Sequence, residues 1–271
     1  MAEMVHGMVC SCAHRRVLIV GELHGTNETP DLVASLVKEV AASRSVRLGL
    51  EISVSEADAI CAYLNSPGRP QDVANLLKGQ FWSGSGIRDG RSSFAMLRLI
   101  EHMRVLRAHG LDVDVFEMQP DYSDSAAIQK DGGYLVAKES GMAQSIRRTL
   151  GHGKPDLLVI ALMGNFHARY DEAATRNDVA HGSVVERLAD ISPYVVLPSA
   201  SQTSAWNCQS DGCGVHSTNH AAPSMQLLLS LSLASHGRAG PTVVTLALDK
   251  QTASMPVVRA ASDDGAPSAA H

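Results

Sequence analysis

The order of apolar and polar positions divides the first two thirds of the chain into short apolar runs separated by helix-period segments. Val17 to Val20 is a β-branched and aliphatic run that ends at Gly21. Val46 to Ile52, Val113 to Met118 and Asp156 to Met163 are three more strand-length runs. Between them, apolar residues recur every three or four positions, the spacing of one helix face. Leu32, Val33, Leu36, Val37 and Val40 predict a helix from Thr29 to about Ser43, with Thr29 as N-cap and Pro30 at its first position. Ser53 or Ser55 opens a second helix, with Glu56 and Asp58 in its first turn, and Arg69-Pro70 begins a short one through Leu77. Phe94, Leu97, Ile100, Met103, Val105 and Leu106 form the apolar side of an amphipathic helix, Ser92 to Ala108, with Ser92 as N-cap. A further helix is placed at about Tyr134 to Leu150.

Strands alternating with helices imply βαβ units, hence a mostly parallel sheet with helices on both faces: the three-layer α/β/α class. The last third is less regular. Ser183 to Ala189 reads as a short helix, and Tyr194 to Leu197 and Thr242 to Leu248 read as strands. Phe81 to Arg91 and the polar stretch Gln202 to Pro223 read as loops. The chain thus divides into an N-terminal extension (1–15), a single α/β domain (16–260) and a small, polar, flexible tail (261–271).

Composition narrows the function classes. Of 271 residues, 45% are hydrophobic and 19% charged, so the chain has ample surface to bury and whole-chain disorder is excluded. Only 4% are aromatic, so the core is aliphatic. The net charge of −5 is not the footprint of a nucleic-acid binder. No apolar run reaches the roughly 18 residues of a membrane span. Met1 to Arg16 has no continuous apolar stretch of the signal-peptide kind, so the sequence as it stands reads as cytoplasmic, or periplasmic or exported if a leader is missing. Five cysteines are an odd, scattered set and no disulfide framework.

The chemistry concentrates at strand ends. Gly21-Glu22-Leu23-His24 follows the first strand and Gly164-Asn165-Phe166-His167 follows the fourth, both of the form Gly-x-x-His. In a parallel sheet both histidines emerge at the carboxyl edge, where open α/β sheets bind ligands. The glycine lets the chain turn off the strand and lets a ligand approach the backbone. Glu51 and Glu117 end two further strands. A carboxylate in that position is costly to bury unless paired, hydrogen-bonded or metal-bound. His24, His167 and Glu51 make a workable set for a divalent metal (Mn, Zn or Fe), and the same residues support metal-free general-base chemistry.

Three stretches resemble a superfamily that joins the erythromycin esterases, the ChaN-like haem-uptake lipoproteins and the Tiki/TraB proteins. They are Gly21-Glu22-Leu23-His24-Gly25-Thr26-Asn27-Glu28, Glu51 after the second strand, and Gly164-Asn165-Phe166-His167-Ala168. The segment Lys138 to Ile146 is similar to a helix of the ChaN-like proteins. The resemblance covers roughly Val17 to Tyr170. It implies an α/β/α fold with its site at the strand ends, with Glu22, His24, Glu51 and His167 as catalytic residues. It does not fix the reaction, which differs across the superfamily.

Other groups are weighed against plainer roles. Arg88 and Arg91 are candidates to clamp an anionic substrate group, against a solvated loop. Glu117 is a candidate substrate contact, and Glu28 is a candidate site acid or a helix N-terminal acid. Cys208, Cys213, His216 and His220 have the look of a small zinc clip, but a loop disulfide or free thiols fit the spacing better. No Gly-x-Ser-x-Gly surrounds Ser11 or Ser199, and no glycine-rich phosphate loop follows a strand. The expectation is therefore a hydrolase of an ester or amide bond in a small molecule or peptide, assisted by a divalent metal on His24, Glu51 and His167. The alternative is a ChaN-type haem or iron protein without catalysis, using His24, His167 or Tyr170.

Overall fold

The computed structural model describes residues 2–83, 89–121, 128–129, 132–170, 182–219 and 240–258. Arg88 and the tail 261–271 therefore lie outside the described residues, as does His220. Six strands form one sheet in the order β3-β2-β4-β1-β5-β8. They are β1 (Val17–Glu22), β2 (Val46–Ser53), β3 (Val113–Gln119), β4 (Leu158–Gly164), β5 (Tyr194–Ala200) and β8 (Thr242–Leu248). Every pairing in this sheet is parallel.

Helices cover both faces, because both faces of each central strand are apolar. On one face Leu18, Val20, Leu48, Leu50, Ile160 and Leu162 meet α2 (Glu28–Ala41), α3 (Ala57–Leu64) and α6 (Phe94–Ala108). On the other, Val17, Ile19, Val159, Ala161 and Met163 meet α7 (Tyr134–His152) and the short α8 (Val184–Arg187). Each fully buried Leu or Ile contributes roughly 1.5–3 kcal/mol, which is why these runs define the sheet. The N-terminal residues are more than an appendage. They form α1 (Ala2–Ser11), whose Val5 and Met8 are buried in the first of these clusters together with Cys12. Two short helices, α4 (Pro70–Leu76) and α5 (Gln80–Ser83), complete the first layer.

Several local expectations shift. The first long helix begins at Glu28 after Asn27, and Thr29 is buried inside it. Asn27 donates instead to the Thr252 and Ala253 carbonyls, so its side chain ties the C-terminal segment rather than capping the helix. The N-cap of α6 is Ser93, whose Oγ accepts from Met96 N, and Ser92 precedes it. Phe94, expected on the apolar side, is 48% exposed, because as the first helical residue it lies beyond the layer α6 packs on. The loop at Phe81–Arg91 begins as the end of α5.

The largest departure is at Gln202–Pro223. Its first part is an antiparallel hairpin, β6 (Gln202–Gln209) and β7 (Gly212–Asn219). Cys208 and Cys213 are directly opposed in it and form a disulfide. The disulfide takes both cysteines of the zinc clip, and His216 Nε2 lies 3.1 Å from Asp211 Oδ1. Polar residues hid the strand pattern because most of this hairpin is exposed on both sides, so no apolar alternation was needed.

The topology sets where a ligand can bind. β1 and β4 are neighbours, with Glu22 in register with Gly164. From β1 the chain crosses by α2 on one face to β2; from β4 it crosses by α8 on the other face to β5. Connections that leave adjacent strands on opposite faces open a crevice at their carboxyl ends. Both Gly-x-x-His motifs stand there.

Candidate active site

His24 and His167 face one another across Glu51. His24 Nδ1 lies 2.7 Å from Glu22 Oε1, and His167 Nδ1 lies 2.6 Å from Glu139 Oε1. An ionised carboxylate only accepts, so each Nδ1 carries the proton and each Nε2 is left to act. The two Nε2 atoms each approach a different oxygen of Glu51, both at 3.6 Å. The site is thus two carboxylate–imidazole pairs converging on a third carboxylate.

Glu51 is held by everything around it. Lys138 Nζ donates to it at 2.7 Å, Arg91 Nη1 at 3.2 Å and Gly164 N at 2.8 Å. Burial pushes its carboxyl up, but His167, His24, Lys138 and Arg91 outweigh this and hold it well below the usual carboxylate range. Burial alone would lower both imidazoles. The bond to Glu22 and the charge of Glu51 raise His24 instead, and the bonds to Glu139 and Glu51 raise His167. Gly164 is required by this crowding. A Cβ there would lie 2.8 Å from His24 Nε2 and 3.6 Å from Glu51 Oε2. Gly21 and Gly164 are both still within their strands, so close approach, and not a turn, explains them.

A cleft of about 470 Å³ opens over these groups. Glu22, His24, Glu51, Lys138 and His167 are its floor, Leu23 and Phe166 are apolar walls, and Asn207 to Gln209 of the hairpin close one side. The hairpin is seated by Trp206, whose N donates to Gly25 O. Gly25 has φ +76°, and a Cβ there would run into the Trp206 carbonyl. Residues 251–256 strap the same loop. Asn27 N donates to Thr252 O and Ser254 N to Gly25 O, while Glu28 accepts from Thr252 N and Oγ1. Glu28 is thus a tie between helix and strap and does not line the cleft.

Two expected substrate contacts lie elsewhere. Arg91 is buried, donating through Nε to Asp89 at 2.9 Å and through Nη1 to Glu51 and to Gln119 at 2.9 Å. Its guanidinium is committed to the floor of the site and is not presented to solvent. Glu117 is in register with Leu50, so it shares the opposite face of the sheet from Glu51. Burial there, with Asp114, Glu56 and Asp58 nearby, pushes its carboxyl up to about 7. The residues that sequence reading did not assign are Glu139, Lys138 and Asp89, of which the first two come from one helix, α7.

The donor set fits a divalent ion poorly. Both Glu51 oxygens already accept from Lys138, Arg91 or Gly164, and an added cation would stand against two buried cations. Among the described residues, no group of three or more His, Cys, Asp or Glu has metal-holding geometry. A haem fits no better: each Nε2 faces a carboxylate and not an open apolar slot, and Tyr170 packs against the apolar cluster beneath α7 and α8.

Comparison with solved structures places this architecture. No protein-family model matches the chain, and no curated protein matches it in sequence. In structure the chain is similar to a variant of the erythromycin esterase EreC in its open conformation, with TM-score 0.55 and 12% identity over 89% of this chain and 85% of that one. It is similar to a succinoglycan biosynthesis protein, with TM-score 0.60 and 11% identity over 94% and 93% of the two chains. A Bacillus cereus protein aligns with TM-score 0.57 and 11% identity over 96% and 94%. The chain therefore has the α/β/α fold of the erythromycin esterases, as its strand-end motifs predicted. No helix among the described residues is long and apolar enough to cross a membrane.

Proposed function

We propose that the protein is a metal-independent hydrolase of an ester or amide bond in a small molecule or peptide, with His24 as general base. The observation that carries this reading is the pair of carboxylate-held imidazoles converging on one cleft. His24 is the more exposed ring of the two, 19% against 9% for the side chains, which gives it the better access to water. Glu22 holds its Nδ1–H, so Nε2 takes a proton from water as the oxygen attacks the substrate carbonyl. His167, kept protonated by Glu139 and Glu51, donates to the oxyanion and then to the leaving oxygen or nitrogen as the acyl bond breaks. Acid and alcohol, or acid and amine, result. Glu51 takes no proton at neutral pH; its charge raises both rings.

The test is hydrolysis of p-nitrophenyl acetate and of an acyl anilide after exhaustive chelation. Activity is expected to survive chelation and to fall by roughly 10²–10⁴ in His24→Ala. Loss on chelation with recovery on adding Mn, Zn or Fe would move the assignment to a metal-assisted reaction. A Soret band on haem reconstitution, lost in His24→Ala/His167→Ala, would move it to haem binding.

A further inference from the structure

The cleft floor is polar and charged, yet its surroundings are not. Among the described residues, seven large apolar side chains are exposed: Val54, Phe94, Tyr134, Leu135, Phe166, Val215 and Val258. Single exposed apolar residues are ordinary when they are scattered. Five of these are not scattered. Val54 follows β2 and Phe166 follows β4, while Phe94 begins α6 and Tyr134 and Leu135 begin α7. In a parallel sheet, strand ends and the starts of the returning helices share one edge. That edge carries the active-site cleft.

One of them lines the cleft, and two begin the helix that carries Lys138 and Glu139. Tyr134 and Leu135, 47% and 40% exposed, lie one turn before Lys138 and Glu139 on the same helix face. Phe166, 51% exposed, walls the cleft and packs edge-on against His167 at 5.4 Å between centroids. A chain short of aromatic residues thus exposes two of them, with a leucine, at the sheet edge that carries the polar floor.

We infer that the substrate is amphiphilic: its scissile carbonyl enters the His24–His167 cleft while an alkyl or aryl portion lies on Tyr134, Leu135 and Phe166. This rests on the hydrolase reading and names its substrate class. Side chains that are themselves about half exposed bury an apolar group only in part. Each added methylene should therefore raise kcat/KM roughly two-fold, less than complete burial would.

The experiment compares p-nitrophenyl acetate, butyrate and octanoate on wild type, Phe166→Ser and Leu135→Ser. The expected result is a roughly 60-fold higher kcat/KM for octanoate than for acetate, six methylenes at about two-fold each, with that ratio collapsing in both variants. A ratio within one variant is independent of how much of it folds. Equal kcat/KM for acetate and octanoate in wild type would overturn the inference while leaving the hydrolase reading intact. So would a ratio that both variants preserve while their sedimentation changes, which would make the rim a contact between copies of the chain. If no ester is turned over, calorimetric titration of N-octanoyl and N-acetyl anilide into wild type separates the two claims. Tighter octanoyl binding, lost in Phe166→Ser, keeps the apolar rim and rejects the hydrolase; equal or absent binding rejects both.

Discussion

Glu22 and Glu139 each hold the Nδ1–H of a histidine, and this decides what each ring can do. In the proposed reaction His24 must lose its proton to act as base, so the acid limb of the pH profile is expected above the ordinary imidazole value of about 6.5. In the same proposal His167 must keep its proton, so the alkaline limb is expected to report that ring. Glu139→Gln removes a carboxylate from His167 alone. The alkaline limb should move to lower pH with the acid limb unchanged, measured as kcat/KM against pH. A purely structural role for Glu139 would lower the whole profile without narrowing it. Glu22 and His24 were legible in the sequence because they are two residues apart. Glu139 was not assigned, since it lies 28 residues from His167, on a helix whose likeness to one of the ChaN-like proteins gave it no role.

At the scale of elements, the His24 loop is positioned by parts distant in sequence. The hairpin and the 251–256 strap both bond to Gly25, which sits at φ +76° with the Trp206 carbonyl against its Cα. Gly25→Ala adds a Cβ where both the backbone angle and the space forbid one. It should cost about 1–3 kcal/mol in urea unfolding, and Trp206 fluorescence should shift as the hairpin lifts. The strands and long helices were readable because burial on both faces, or on one stripe, imposes a period. The hairpin was not, because it buries little beyond Thr203, Ala205 and Trp206.

For the whole molecule, three kinds of buried group set how stability follows pH. His24 and His167 have raised folded values, so their contribution is complete below about 6.5 and is lost as pH rises through the folded values. Glu117 is raised from 4.5 to about 7, so the fold binds its proton more tightly than the unfolded chain, and stability falls as pH rises between those values. Glu51 is depressed, so its contribution is present above about 4.3 and is lost on acidification through its folded value. The thermal midpoint is therefore expected to fall from pH 5 to pH 8.5. Glu117→Gln should flatten the part between 4.5 and 7 and leave the later decline. A midpoint that rises over this range, or an unaltered slope in Glu117→Gln, would contradict these assignments.

The sequence by itself determined the layer architecture and the two strand-end motifs, because hydrophobic period and short-range spacing are local properties of the chain. Glu22, His24, Glu51 and His167, which the structure brings together, were candidates on that basis. Only the tertiary structure decided which of the other charged residues belong with them. Register placed Glu117 beside Leu50 and away from Glu51. Burial made Arg91, a candidate for either a substrate clamp or a solvated loop, a partner of Glu51. The packing of α7 brought Lys138 and Glu139 onto the two motifs. These outcomes depend on which face each strand turns to which helix, and that is a property of the assembled sheet.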